Sequence, residues 1–238
     1  MRISINQPAF LPWSGYFERI AMSDLHVVLD HVQFEKNSVT NRNRIKGCNG
    51  PMWLTVPVKT RGRFKSNPIL SLEIAEDDTW RRRHLRSIEM SYRNAAHLNA
   101  LFPALEAAYS QEWTHLCPLI SACNSILMDA LGITTRIASS SSITDLTGHK
   151  SELVLNLCRH FGATEYISGP FGRDYLDLES FRRNGIRVRF HEHQRQIYRQ
   201  LYGAFTPDLS VVDLIFNEGD AARQLYRASD FEMSLRDS

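Results

Sequence analysis

Several features of specialised protein classes are missing from this 238-residue sequence. No apolar run approaches the ~20 residues that a membrane-spanning helix needs, and no signal peptide is recognisable at the start. The 28 Lys+Arg and 26 Asp+Glu leave a formal charge of +2, too near neutral to favour nucleic-acid binding. The four cysteines form no CxxC pair, and three lie in apolar helical patterns. We therefore expect a soluble, cytoplasmic protein with neither a nucleic-acid partner nor membrane insertion.

Motifs that would identify a cofactor are also scarce. Gly148-His149-Lys150-Ser151 ends like a phosphate-binding loop but lacks the upstream glycine, so only Lys150 remains a candidate anion contact at a helix start. His191 and His193 share one face of a strand while Glu192 faces away, and they do not form a metal site unaided. We predict no metal site, and the cofactor stays unknown.

Short apolar runs alternate with amphipathic segments along much of the chain. Arg2–Asn6 predicts a strand, helical spacing begins at Gly15, and Leu25–Leu29 predicts a second strand. That order is a βαβ unit, which implies a parallel strand pair. Further predicted elements are helices over about Thr79–Tyr92, His97–Tyr109, Glu112–Leu131, Lys150–Phe161 and Tyr175–Arg183, and strands at Thr135–Ala138, Glu165–Ser168 and Ile186–His191.

One further pair of runs predicts a hairpin at a sheet edge. Trp53–Val58 and Ile69–Ile74 both alternate, and the basic loop Lys59–Lys65 separates them. The predicted fold is α/β, with a mostly parallel sheet built from βαβ units, a helical middle segment and an edge hairpin. No Gly/Ser-rich linker divides the chain, so we expect one domain over residues 1–238, in which 79–131 could form a helical subdomain.

Polar loops follow several predicted strands, where parallel sheets bind their ligands. The first follows Asn6: Gln7 offers an amide, Trp13 a flat apolar face beside Tyr16, and backbone amides near Gly15 could hold an anion. The alternative is a proline-stiffened turn whose aromatic side chains plug the end of the sheet.

The second polar loop begins at Asp30, where a carboxylate could bind a hydroxyl or act as a base. Lys36 and Asn37 follow. Arg42 and Arg44 alternate with Asn41 and Asn43, so on an extended backbone the two arginines share a face and suit a phosphate or diphosphate. The alternative is a solvated loop with unpaired arginines.

The third polar loop runs from Ser168 to Tyr175. Gly169 and Gly172 permit a tight turn with exposed amides, and Arg173 adds a charge near a helix start. Further along, Asp213 lies in an apolar helical pattern and is either a buried capping carboxylate or a site residue.

These loops also carry a family resemblance. Gln7–Phe17 resembles the Q-P-x-x-L-P-W-x-G-Y-F signature of WbqC-like proteins, and Asn6 stands where that family usually has His. The resemblance extends through Leu29–Phe34, Lys36-Asn37, Asn41–Lys46, Trp53–Val58, Gly148–Ser151, Tyr166–Gly169, Asp174–Leu176 and Leu209–Asp213.

The resemblance implies an enzyme of bacterial surface-polysaccharide (O-antigen, lipopolysaccharide) biosynthesis. The implied reaction is acyl or aminoacyl transfer to a small-molecule substrate, a nucleotide-linked amino sugar. On this hypothesis Gln7, Asp30 and Asn37 line the reacting centre. Substrate and phosphate contacts would come from Trp13, Tyr16, Lys36, Asn41, Arg42, Arg44, Lys150, Ser168, Arg173 and Tyr175.

Two alternatives remain open. The order strand, proline-containing loop, helix and acid-ended strand also resembles adenylyl-transferring HIGH-type folds, although Asn6 and Ser14 occur near the places of the two histidines. An ATP-dependent ligase would fit that reading. The other alternative is a non-catalytic binding or scaffold protein, which would tolerate Asp30→Asn. The oligomeric state is left open.

Overall fold

The structure is a computed structural model that describes residues 1–60, 67–226, 231 and 234–237. The strands are β1 (Arg2–Asn6), β2 (Leu25–Val28), β3 (Arg42–Gly47), β4 (Gly50–Thr55), β5 (Arg136–Ser139), β6 (Glu165–Ser168), β7 (Arg187–His191) and β8 (Leu235–Asp237). The α-helices are α1 (Ser14–Ala21), α2 (Thr79–Tyr92), α3 (Leu98–Ser110), α4 (Leu116–Leu131), α5 (Ser151–His160), α6 (Leu178–Arg183), α7 (Val211–Glu218) and α8 (Asp220–Gln224).

The main sheet has the strand order β5-β2-β1-β6-β7-β8 among the described residues. The first five strands in this order are parallel, and β8 pairs antiparallel with β7. The predicted α/β fold with a mostly parallel sheet is confirmed. Numbered along the chain, the parallel strands are arranged 3-2-1-4-5, as in doubly wound nucleotide-binding folds, and the direction of winding reverses between β1 and β6.

The alternation of residues along the strands divides the core between the two faces of the sheet. Ile3, Ile5 and Leu25 pack with residues of α5 and α6 on one face. Ser4 lies beside His26 in the strand register and shares the opposite face, towards α1 and α4. The second hydrophobic cluster occupies that face and continues into the hairpin and the helical middle.

The helical middle agrees with its prediction. The bounds of α2 and α3 agree with those expected to within about one residue, and α4 begins at Leu116 instead of Glu112. Gly132 ends α4 in the left-handed conformation with φ 69°. Their buried side chains belong to the same cluster as those of α1 and the hairpin.

The division into domains stays a prediction. Within the part of the chain that the structure describes, no helix has the length and hydropathy to span a membrane.

The hairpin pairs other segments than predicted: β4 overlaps the predicted strand Trp53–Val58 at Trp53–Thr55, but its partner is β3. β3 pairs with β4 in a separate two-stranded sheet, whereas the predicted partners share only an isolated bridge between Val58 and Ile74. The prediction was wrong because β3 is polar in sequence and its asparagine is satisfied by a tertiary contact: Asn43 Nδ2 donates to the Leu11 carbonyl at 2.7 Å. Residues 61–65 of the predicted basic loop lie outside the described residues.

Candidate functional site

A cleft opens at the carboxyl ends of β6 and β7, beside the start of α1. We call it the switch-point cleft because it lies where the sheet reverses its winding. Its volume is about 700 Å³, within the range of ligand sites in general. Its lining includes Trp13, Gly15, Arg19, Phe171, His191 and His193.

The start of α1 forms one wall of the cleft. Pro12 precedes the helix, and Trp13 holds the N-cap position in an extended conformation without a side-chain cap. A Cβ atom added to Gly15 would lie 3.0 Å from both His193 Cγ and Trp13 Nε1. Glycine therefore lets the two rings pack directly on the first turn of the helix, whose positive dipole end faces the cleft.

A carboxylate–histidine cluster lies under this wall. Glu18 is only 2% exposed, and its Oε2 lies 2.9 Å from His193 Nδ1 and 2.8 Å from His191 Nε2. The His193 contact is a hydrogen bond, while the His191 nitrogen is within ion-pair distance but out of line for one. Burial alone would raise the pKa of Glu18, but the two histidines together outweigh it and the pKa lies below its ordinary value.

The contact with Glu18 determines which nitrogen of His193 can accept a proton. A carboxylate only accepts hydrogen bonds, so His193 Nδ1 carries the hydrogen and Nε2 keeps its lone pair. Nε2 makes no hydrogen bond within the described part of the chain, and His193 lines the cleft. His193 can therefore act as a general base that Glu18 orients. Among the described residues, no group of three or more His, Cys, Asp or Glu side chains is arranged to hold a metal ion.

Two arginines line the cleft: Arg195 pairs with Asp208 at 2.8 Å, while Arg19 forms no such ion pair among the described residues. The Nε of Arg19 is buried without a hydrogen-bond partner among the described residues, and burial lowers the pKa of the guanidinium below its ordinary value. A Cβ atom on Gly169 would overlap Nη1, so the glycine permits the guanidinium to lie against the end of β6. A guanidinium stays charged in proteins, and a buried N–H group without an acceptor is costly. Arg19 is thus suited to an anionic ligand.

A buried network holds the segment that forms the far wall. Asp213 is fully buried, and its two carboxylate oxygens accept hydrogen bonds from Tyr92 and Tyr198, each at 2.7 Å. Tyr198 also accepts from Gln200, whose Oε1 accepts from Lys46 Nζ at 3.0 Å. Burial raises the pKa of Asp213. The network ties the loop after β7 to α2, α7 and β3.

Comparison with known proteins shows the family. The profile of the WbqC-like protein family matches residues 7–225, a span that contains the whole switch-point cleft. The chain belongs to this family. It is 36% identical over 228 residues to an uncharacterized protein of Mycobacterium tuberculosis, covering 95% of this chain and 97% of that relative. No solved structure is significantly similar to the chain.

Some of the predicted site residues of this WbqC-like chain lie at or near the cleft. Trp13 lines it. Arg173 pairs with Glu192 at 3.2 Å and stacks over the Phe190 ring at 4.4 Å, so its charge already has a partner. Tyr175 interacts electrostatically with Arg19. Ser168 is buried at the end of β6 and donates to the Gly169 carbonyl at 3.0 Å.

The predicted reacting residues occupy different surroundings. The Asp30 carboxylate accepts hydrogen bonds from Ser140 Oγ at 2.9 Å and from Ser141 N and Oγ at 2.9 and 2.7 Å. It thereby joins the ends of β2 and β5. The hydroxyl of Tyr16 donates to the backbone carbonyl of Gln7 at 3.5 Å, and the Gln7 side chain is exposed. Asn37 is exposed, has φ 65° and is contacted at its carbonyl by Arg42.

The predicted phosphate residues of the second loop form a surface of their own. Arg42 and Arg44 share one face of β3, as expected, and both stack on Trp53, at 4.3 and 5.7 Å from the ring centroid. Asn41 is buried and donates to the Val56 carbonyl at 2.9 Å. Lys36 is exposed, and Lys150 is exposed just before α5. None of these residues lines the switch-point cleft.

Sequence reasoning missed Glu18 and Arg19 altogether and considered His191 and His193 only as metal ligands. A signal for the first pair was present. Two charged residues stand between Phe17 and Ile20, in a helix whose neighbours are otherwise core residues. Charged groups at such positions are rarely buried unless they are paired or functional.

Proposed function

We propose that this WbqC-like protein is a transferase that acylates or aminoacylates the amino group of a nucleotide-linked amino sugar in surface-polysaccharide biosynthesis. The observation that carries the proposal is the Glu18–His193 pair next to Arg19 in the switch-point cleft. A base and an anion contact are the two groups such a transfer needs.

The reaction can be assigned to these residues. The sugar amine attacks the carbonyl carbon of an activated acyl donor, such as a thioester or an acyl adenylate. The nitrogen–carbon bond forms while His193 Nε2 accepts a proton from the amine, and the leaving group departs with its electron pair. Glu18 holds the imidazole in the required tautomer and stabilises it when protonated. Arg19 and the start of α1 hold the diphosphate, and Trp13 offers a stacking surface.

Phosphate binding is tested first, by calorimetric titration of uridine diphosphate into three proteins. Arg19→Met removes the charge in the cleft, and Arg42→Met removes a charge on the hairpin. Loss of a charge-assisted contact of about 1.5–3 kcal/mol predicts roughly 10- to 100-fold weaker binding for Arg19→Met. We expect Arg42→Met to bind within about twofold of the parent, a change below ~0.5 kcal/mol. A larger loss of affinity in Arg42→Met than in Arg19→Met would indicate that the phosphates bind at the surface of Arg42 and Arg44.

A second function is favoured by the strand order. The 3-2-1-4-5 arrangement and the uncapped start of α1 at the switch point are also suited to the phosphates of ATP. An ATP-dependent ligase would release AMP and pyrophosphate when it is given an amino acid and an amino sugar. An acyltransferase using thioesters would instead release a free thiol without ATP. A well-folded protein that binds no nucleotide, nucleotide sugar or acyl donor would favour a scaffold role.

A further inference from the structure

A second cavity lies on the other side of α1, between the sheet and α4. We call it the α4 pocket. Its volume is about 420 Å³, and Tyr16, Ile20, His26, Ile120, Asn124 and Met128 are among its lining residues. It shares no lining residue with the switch-point cleft. The strands, α1 and α4 form its walls, and exposed residues such as Ser121, Asp129 and Thr134 surround its opening to solvent.

His26 presents one unsatisfied polar atom in this pocket. The residue is in β2 and only 1% exposed; its Nδ1 lies 2.8 Å from Ser4 Oγ, and its Nε2 is buried without a partner among the described residues. Burial, and then the nearby Arg19, lowers the pKa of His26 to about 3, so the ring is neutral. Ser4 Oγ has no other acceptor in the described chain, so its hydroxyl donates to Nδ1. The ring hydrogen is then on Nε2, which becomes a donor.

Asn124 presents the complementary atom. Its Nδ2 donates to the Ala9 carbonyl at 3.1 Å, which fixes the orientation of the amide. Its Oδ1 is buried and accepts no hydrogen bond from the residues that the structure describes. Two residues that line the pocket therefore have a donor and an acceptor without partners among the described residues. A buried polar group without a partner is destabilising, so each of them favours a ligand.

The other lining residues have apolar, thiol or hydroxyl side chains, apart from the carboxylates of Asp30 and Asp129. Burial raises the pKa of the Cys117 thiol to about 12, so it stays protonated. The Asp30 carboxylate already accepts hydrogen bonds from the Ser140 and Ser141 hydroxyls. The lining contains no Lys or Arg within the described chain, while Asp30 and Asp129 would repel an anion.

We propose that the α4 pocket binds an uncharged, largely apolar molecule with an amide or hydroxyl group, which accepts a hydrogen bond from His26 and donates one to Asn124. This site is independent of the proposed transferase activity, because its ligand class and its lining both differ from those of the cleft. A ligand here would pack against the α1 side chains Tyr16 and Ile20.

The test uses hexanamide as the probe and hexanoate, its charged counterpart, as the matched comparison. Binding to the full chain is followed by ligand-observed NMR with saturation transfer. From ordinary ligand efficiencies we expect hexanamide to bind with a Kd of roughly millimolar order. We expect hexanoate to bind about tenfold more weakly, because its charge would be desolvated without a cation.

Two variants and a control localise the binding. Ser121→Phe places a bulky side chain into the pocket from an exposed position on α4 and should abolish binding. Asn124→Leu should weaken it roughly 2- to 12-fold, the range for one neutral hydrogen bond. Ala107→Phe, at an exposed position on α3 outside the pocket, should bind like the parent.

Three results would overturn the proposal. They are no hexanamide binding to well-folded parent protein, equal binding of hexanoate, and undiminished binding by folded Ser121→Phe. Asn124→Leu also loses the hydrogen bond to Ala9, so its fold is checked by thermal melting. Ser121→Phe decides the question if Asn124→Leu does not fold.

Discussion

Gly15 and Arg19 line the switch-point cleft on one side of α1, whereas Tyr16 and Ile20 line the α4 pocket on the other. Each pair is spaced by four residues, so each occupies one face of the helix. The cleft side carries the Arg19 guanidinium and a carboxylate with two histidines, while the pocket side carries a neutral histidine, an amide and the carboxylates of Asp30 and Asp129. One helix thus separates a cleft that contains arginine from a pocket whose described lining has no Lys or Arg.

His193 of the cleft and His26 of the pocket differ in exposure and in their hydrogen-bond partners. His193 is partly exposed and hydrogen-bonded to a carboxylate, which fixes the ring hydrogen on Nδ1. His26 is buried near Arg19 with only a serine as partner, which favours the neutral ring. The same side chain is therefore suited to proton transfer in the cleft and to a fixed hydrogen bond in the pocket.

The largest expected effect comes from removing the base of the cleft. His193→Ala should lower the rate of acyl transfer about 10²- to 10⁴-fold, measured as thiol release from an acyl thioester with a nucleotide-linked amino sugar. Binding of uridine diphosphate should change little, since Arg19 remains. His160→Ala, at an exposed position on α5, is the control. A His193→Ala protein with full activity would remove the proposed role of the cleft.

The second largest expected effect is on the free energy of unfolding, and it comes from His26 in the α4 pocket. The pKa of His26 is lowered to about 3 in the folded protein, against about 6.5 in an unfolded chain. Its contribution to stability is therefore fully present above pH ~6.5 and is lost as the pH falls towards ~3. Between pH 7.5 and 5 the loss should be about 2 kcal/mol in the free energy of unfolding. Urea denaturation at the two pH values measures it.

His26→Leu removes this titration and should reduce the pH dependence between pH 7.5 and 5 by about 2 kcal/mol. The part that remains comes from His84, whose pKa burial lowers to about 4. His149→Leu, at an exposed position, should leave the pH dependence unchanged. Glu18 contributes to stability in a different pH range. Because its folded pKa is lowered, its contribution is present above the unfolded pKa of ~4.3 and is lost only as the pH falls below that value. An unchanged slope in His26→Leu would contradict a buried neutral ring at this position.

The smallest expected effect concerns the position of Arg19. In Gly169→Ala the new methyl group would overlap Nη1, and the flexible guanidinium must shift. We expect binding of uridine diphosphate to weaken several-fold, about 1 kcal/mol, with little change in the melting temperature. Gly47→Ala is the matched control, because its Cβ would meet its nearest atom at 3.4 Å, an ordinary contact. Equal binding by both variants would show that the placement of Arg19 is unimportant for phosphate.

Periodicity predicted most of the elements correctly but failed for the hairpin. The first βαβ unit and the three middle helices follow from apolar spacing and from stops such as Gly132. The polar strand β3 does not, because Asn43 and the preceding Asn41 are satisfied by the Leu11 and Val56 carbonyls, which are distant in sequence. Asn49-Gly50 was the one local hairpin signal available.

The candidate site was predicted only in part for a similar reason. Trp13 and the uncapped start of α1 could be placed from sequence, because a loop after the first strand of a parallel sheet faces the ligand edge. Asp30 also follows a strand, but the serines after β5 occupy its carboxylate. Sequence position indicates the edge of the sheet that a side chain faces, and it does not indicate whether another segment already contacts it.

The sequence by itself determined the α/β class, the main strands and helices, and the family, since burial periodicity and local motifs are encoded over a few residues. Only the tertiary structure decided that Glu18 meets His193, 175 residues away, and that Arg19 lies against Gly169. The physical reason is that strand order selects which distant loops become neighbours. Whether a charged side chain forms an ion pair depends on those neighbours, and the local sequence around the residue does not contain that information.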